Sequence, residues 1–280
     1  MSWRIEVTHR STYRYGRRVT GSYNEVRMTP QSADGQRVLE HRLTVVPSTQ
    51  VMRFRDYWGT HVDVFDVHVP HTELDITMTS VVETSPPRAR RAQASWTDLQ
   101  SSSLCDAMAE FLAPTSFTAV DQIGREVAYS LRGKSTPDVV ARALGEWTHE
   151  EMRYQPGTTQ VSTPATEALT NRTGVCQDFA HVTIALARSL GIPARYVSGY
   201  LHPSPDTDLG ELVWGQSHAW VELWTGEWRA FDPTNGATVG ERHIVVGRGR
   251  DYGDVSPLRG IYQGGGGAAL DVEVTLTRVG

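Results

Sequence analysis

The chain of 280 residues can bury one large core or two modest ones, and two domains are expected. Its net charge is −5 and Lys134 is the only lysine among 27 basic residues, so no basic stripe for nucleic acid is present. Two cysteines exclude a disulfide framework; with no apolar leader in Met1 to Arg10 and no run near ~18 apolar residues, neither export nor membrane insertion is expected, which leaves the cytoplasm.

From Trp3 to Val82, apolar and polar residues alternate, as in Val62-Asp63-Val64-Phe65-Asp66-Val67 and Leu74-Asp75-Ile76-Thr77-Met78. That period, broken by Gly, Pro and Asp, predicts an antiparallel sheet or sandwich over residues 1–84. The tract Ser85-Pro86-Pro87-Arg88-Ala89-Arg90-Arg91 interrupts it, and residues 85–95 are expected to be a solvated linker. Cys105 follows in a short helical run, Leu104 to Leu112, as a small hydrophobe. Thr136-Pro137-Asp138 has an N-cap, a proline at the first helical position and an acid in the first turn, so a helix should run to about Arg153. It stops before the turn signal Gln155-Pro156-Gly157.

A second helix is predicted from Val175 to Leu190, with Gly191 as its stop and Cys176 at its exposed tip. Strands follow over Ala194 to Tyr200, His218 to Trp224 and Trp228 to Phe231. Residues 96–262 are read as a second domain, the Gly264 to Gly267 run as a flexible hinge, and Leu270 to Thr277 as a last strand.

Cys176 is the residue from which chemistry can be argued. A thiol attacks as thiolate, and the start of a helix offers free N–H groups and a dipole that favour the anion. His218 arrives 42 positions later, in Ser217-His218-Ala219-Trp220, and Asp232 another 14 after that, in Phe231-Asp232-Pro233-Thr234-Asn235. If Thr225-Gly226-Glu227 closes a three-residue hairpin, Trp224 faces Trp228 and Trp220 faces Asp232. His218 then lies two positions further on the same face, within diagonal reach of the carboxylate. A two-residue loop would put the pair on opposite faces. Asp178 and His181 beside Cys176 raise a metal reading. No second Cys stands at ligand spacing and there is no H-E-x-x-H, so neither a metal nor another cofactor is expected.

The segments GVCQDFAH (174–181), GIPARYVSGY (191–200), SHAWVELW (217–224) and FDPTNG (231–236) resemble the transglutaminase-like superfamily of papain-like Cys-His-Asp enzymes. GRDYGDVSPLRG (249–260) and the β-rich beginning resemble its bacterial branch. The resemblance implies an α+β fold in which a Cys-bearing helix packs on an antiparallel sheet, preceded by an N-terminal antiparallel β domain. It implies Cys176 as nucleophile, His218 as general base and Asp232 as orienting carboxylate. The Cys176 N–H and Tyr154 are candidate oxyanion donors, and Trp214, read as a loop residue, and Tyr252 are candidate substrate contacts. The expected activity is acyl transfer on a peptide or protein amide through a thioester, with hydrolysis favoured. A transamidase, or a non-catalytic binding protein on the same fold, is the alternative. The oligomeric state is left open.

Overall fold

A computed structural model describes residues 2–33, 35–86 and 93–280. The expected linker therefore lies partly outside the described residues, over 87–92. The spine of the β-rich half is one 24-residue strand, Trp3–Val26. Its inward positions Trp3, Ile5, Val7 and His9 are buried while Arg4, Glu6 and Arg10 between and beside them are exposed, as period-two patterning requires. The first half of this strand pairs antiparallel with His71–Thr84 on one side and with Ala268–Arg278 on the other. A register shift between Arg14 and Val19 bends it, and its second half pairs with His61–Val67 and Leu258–Gly264. Gln36–Val46 and Leu212–Gly215 are the outer strands of the main path.

The second sheet is also antiparallel. Its order is Ala237–Thr238, Trp228–Asp232, Ser217–Trp224, Ala194–Leu201, His243–Gly249. The helix Cys176–Ser189 packs on it, flanked by Gln122–Arg132 and Pro137–Glu151. Phe179, Ala180, Val182, Ile184, Ala185 and Leu186 are all buried, so this helix is apolar nearly all round because protein surrounds it. Thr136 is the N-cap residue of the helix at Pro137, as its sequence predicts.

Two expectations about organisation change. The Gly264 to Gly267 run is no hinge. Gly264, Gly265 and Gly266 take φ of 88°, 78° and 68°, open to glycine without strain, and they form an irregular step between Leu258–Gly264 and Ala268–Arg278 in which Gly265 and Gly267 stay hydrogen-bonded to the backbone of Gly16, Arg17 and Arg18. The two strands run one after the other along Trp3–Val26, antiparallel to it, so this segment completes the first sheet. Nor is the β-rich half a module with its own closed core. Tyr200, Ile244 and Val246, from the back of the second sheet, belong to the cluster that holds Ile5, Val7, Ile76 and Met78. The Gln36 side chain bridges the same interface, accepting from Val245 N at 2.8 Å and donating to Val245 O at 2.8 Å. Alternation along a strand reports which face is buried and not what covers it, so the shared core left no mark in the sequence.

Candidate active site

Cys176 is the first residue of its helix and is half-buried. At that position the helical ladder supplies no acceptor for its N–H. The turn is tightly built. The buried Asp178 carboxylate accepts from Val175 N at 2.8 Å and from Thr159 Oγ1 at 2.7 Å. A Cβ on Gly174 would lie 2.6 Å from the Asp178 side chain, so the close approach requires glycine. Burial raises the Asp178 carboxyl above its ordinary range, against the pull of those two hydrogen bonds.

Thr173–Gly174 also pairs with Arg153–Tyr154, which brings Tyr154 beside the helix start. Burial and the nearby Cys176 both push its phenol up. Its hydroxyl makes no hydrogen bond among the described residues, as an unengaged donor would be placed.

The hairpin has the three-residue loop. Trp224 faces Trp228, Val221 faces Phe231, and Gly226 takes φ 112°. The diagonal contact follows, with His218 Nε2 lying 2.7 Å from Asp232 Oδ2. Asp232 is fully buried and anchored further: its Oδ1 accepts from Thr234 N at 3.0 Å and Asn235 N at 3.2 Å, and its Oδ2 from Asn235 Nδ2 at 2.7 Å. The turn is held from below by the helix Pro137–Glu151. Gly145 makes room for the Phe231 ring, and His149 Nδ1 donates to Thr234 O at 3.0 Å.

Because Nε2 is committed to Asp232, Nδ1 is the ring nitrogen left for the Cys176 side chain, with which His218 also interacts. Burial by itself would lower the His218 pKa, but hydrogen bonds and charge from Asp232 and Cys176 overcome it and raise the value to about 9. Asp232 moves the other way. Burial would raise it, but the bonds from His218, His243 and Asn235 hold it far below the usual carboxylate range. This pattern is that of an imidazolium kept charged against a buried carboxylate.

A pH dependence follows with a defined sign. The folded protein retains the His218 proton up to about 9, against an ordinary value of 6.5. Its contribution to stability is therefore complete below about pH 6.5 and is lost as pH rises through about 9. Melting temperatures of wild type and His218→Gln should differ most at pH 6 and converge by pH 10. A difference that grows with pH would contradict this arrangement.

Two residues of the site were not singled out from sequence. Asn235 stands inside FDPTNG, but only the turn shows its amide bonding to Asp232. His243 comes from the far side of the sheet, where the chain crosses two strands after Asp232. Its Nδ1 accepts from Gly240 N at 3.2 Å, which leaves Nε2 to donate to Asp232 Oδ2 at 3.3 Å. Burial lowers the His243 pKa despite Asp232, consistent with a neutral ring. No motif marks it. The ligating atoms of His218, Asp232 and His243 lie within 4.8 Å of one another, a spacing open to a metal ion, and direct hydrogen bonds account for it.

His181 is fully buried on the Cys helix, where burial drives its pKa to about 3, and its Nε2 accepts from Tyr252 N at 3.1 Å. The segment Gly249 to Tyr252 is thereby hooked onto the helix that carries Cys176. Tyr252 lines a cleft of about 760 Å³ with Phe117, Thr159 and Val161, beside the Cys turn. Trp214 corrects an expectation: it lies in the strand Leu212–Gly215 and not in a loop, opposite Thr275, and is 69% exposed. Among the described residues, no hydrogen bond or ring contact joins it to Cys176, His218 or Asp232. Trp220 is buried beneath His218, with ring centroids 6.1 Å apart.

The family model described as the transglutaminase-like superfamily matches residues 125–233, and that of the bacterial transglutaminase-like N-terminal region matches 5–83. An uncharacterized protein of Mycobacterium leprae is 45% identical over 277 residues, covering 99% of both chains. One from Mycobacterium tuberculosis is 39% identical over 289 residues, covering 97% of this chain and 91% of its own. The crystal structure of a candidate cysteine protease from Cytophaga hutchinsonii superposes with a TM-score of 0.78 at 23% identity, covering 100% of this chain and 92% of that one, and shares the fold. The chain belongs to the transglutaminase-like superfamily, in the bacterial branch that carries the β-rich N-terminal region.

Proposed function

We propose that the protein is a thiol-dependent amide hydrolase that acts on a peptide or protein through an acyl thioester on Cys176. The observation that carries this reading is the His218 ring, hydrogen-bonded to buried Asp232 through Nε2 and held protonated to about 9 by Asp232 and Cys176 together. A thiolate at Cys176 attacks the amide carbonyl carbon, and the oxygen takes the charge. In this reading the Cys176 N–H and the Tyr154 hydroxyl, which lies beside the helix start, are its donors. The C–N bond breaks as His218 gives its proton to the leaving amine, which departs and leaves the thioester. His218, now neutral, takes a proton from water as it attacks. The C–S bond breaks, the acid leaves, and the thiolate–imidazolium pair is restored.

Transamidation would use the same residues with an amine in place of water. Hydrolysis is preferred because no feature around Cys176 marks a lysine-binding site. Lys134 is also the only lysine on the chain, so self-crosslinking should be negligible. The test is partition: a reactive amide or ester substrate with increasing primary amine, products read by mass spectrometry. Free acid persisting at saturating amine is expected; amide as the dominant product would make transamidation the function.

A further inference from the structure

The cleft beside Cys176 has an unequal charge distribution. Its walls are tied to the residues around the nucleophile. Thr159 Oγ1 donates to Asp178 at 2.7 Å, and Gln177 Nε2 donates to Val161 O at 2.9 Å. Tyr252 is bonded to His181 of the same helix. A chain lying in the cleft therefore runs past the first turn that carries Cys176. Phe117, Val161 and Tyr252 give it apolar surface, and Thr159, Ser162 and Ser256 give it hydroxyls. Among the described residues no carboxylate lines it, and the charged side chain in its lining is Arg259.

Arg259 sits on the strand Leu258–Gly264, exposed, directly across the ladder from Glu25. That carboxylate is engaged elsewhere, since Arg27 NH2 donates to it at 2.6 Å while Arg27 Nε bonds Asp56 at 3.2 Å. Other arginines nearby are also committed. Arg250 is paired with Asp254 at 2.9 Å, and the buried Arg188 donates to the carbonyls of Ala113, Ala194 and Arg250. Arg259 has no ion pair and no side-chain hydrogen bond among the described residues. A guanidinium at the rim of an otherwise uncharged cleft suits a planar carboxylate, which it can take in a two-point contact.

We propose that Arg259 selects substrates bearing a carboxylate in the arm that occupies this cleft, either an Asp or Glu side chain or a free peptide C-terminus. The proposal rests on the acyl-transfer reading of the site and names its substrate class.

The experiment is protection of Cys176, in the full-length protein, from alkylation by iodoacetamide. The protectants are acetylated tetrapeptides in which Glu, Gln or Lys is scanned through the four positions of an alanine background, each as the C-terminal amide and as the free acid. Each protein is compared with its own unprotected rate. In the wild type, the best carboxylate peptide should protect at a concentration about 5-fold or more below that of its neutral counterpart. Glu-amide and Gln-acid peptides tell a side-chain carboxylate from a terminal one. The preference should vanish in Arg259→Gln and turn toward Lys in Arg259→Glu. Protection by the neutral Gln-amide peptides equal to that by both the Glu-amide and the Gln-acid peptides in the wild type, protection by none, or a preference that survives in Arg259→Gln overturns the proposal. The same peptides are followed for cleavage: charge-dependent protection without turnover of any peptide or activated ester would leave Arg259 selective and sink the hydrolase reading instead.

Discussion

Cys176→Ala should abolish turnover, with a loss of about 10⁴-fold or more, and leave the fold intact. In the proposed reaction the thiol carries the acyl chain, and removing a nucleophile removes nearly all the rate that its base and carboxylate supply with it. The side chain is half-buried at the edge of the core, so its truncation to Ala should change stability by only about 1 kcal/mol or less. Cys176→Ser should be nearly as inactive, because His218 is poised for a thiolate partner. Steady-state rates and thermal melts check both halves together. Residual activity above about a tenth of wild type, against the loss expected when a nucleophile is removed, would remove Cys176 from the chemistry.

Asp232→Asn should cost about 10³–10⁴-fold in rate, and unlike Cys176→Ala it should also cost stability. The carboxylate accepts from Thr234 N and Asn235 N on one oxygen and from His218, Asn235 and His243 on the other. If the amide oxygen keeps the two backbone donors, its NH₂ group meets three donors and can accept from none. His218 then loses both the partner that fixes its tautomer and the charge that keeps it protonated. A buried site with donors facing donors should lose about 1–3 kcal/mol. The pH dependence separates the two roles: the His218 titration should move down from about 9 toward its ordinary range. An unchanged rate would mean that Asp232 serves only the turn before Pro233.

Sequence carried the local parts of this site well. The Cys helix is legible because Gly191 ends it and because its apolar positions recur at helical spacing. The His218–Asp232 contact is legible because Thr225-Gly226-Glu227 has the length and the glycine of a three-residue hairpin, and that register fixes which side chains share a face. What was hidden is non-local. His243 reaches Asp232 only because the chain crosses the end of the sheet, and nothing around His243 marks that crossing. Trp214 reads as a loop residue because its four-residue edge strand is too short, and too exposed, to alternate in polarity. The glycines at 264 to 267 look like a hinge because an irregular step within a paired strand and a flexible joint draw on the same residue. The division into two domains followed a change of period from 2 to 3.6, while the core that Tyr200 and Ile244 share with Ile5 and Ile76 lies across it.

The measurement that tests the account most directly is the mass of the protein during turnover of a p-nitrophenyl ester, quenched in acid within the first cycle and mapped by peptide. A single acyl group on Cys176, labile to hydroxylamine, absent from Cys105 and absent from the His218→Ala protein under the same conditions, is the predicted result. Turnover with no acyl group on Cys176, or equal acylation of Cys105 and Cys176 that His218→Ala leaves unchanged, would contradict it.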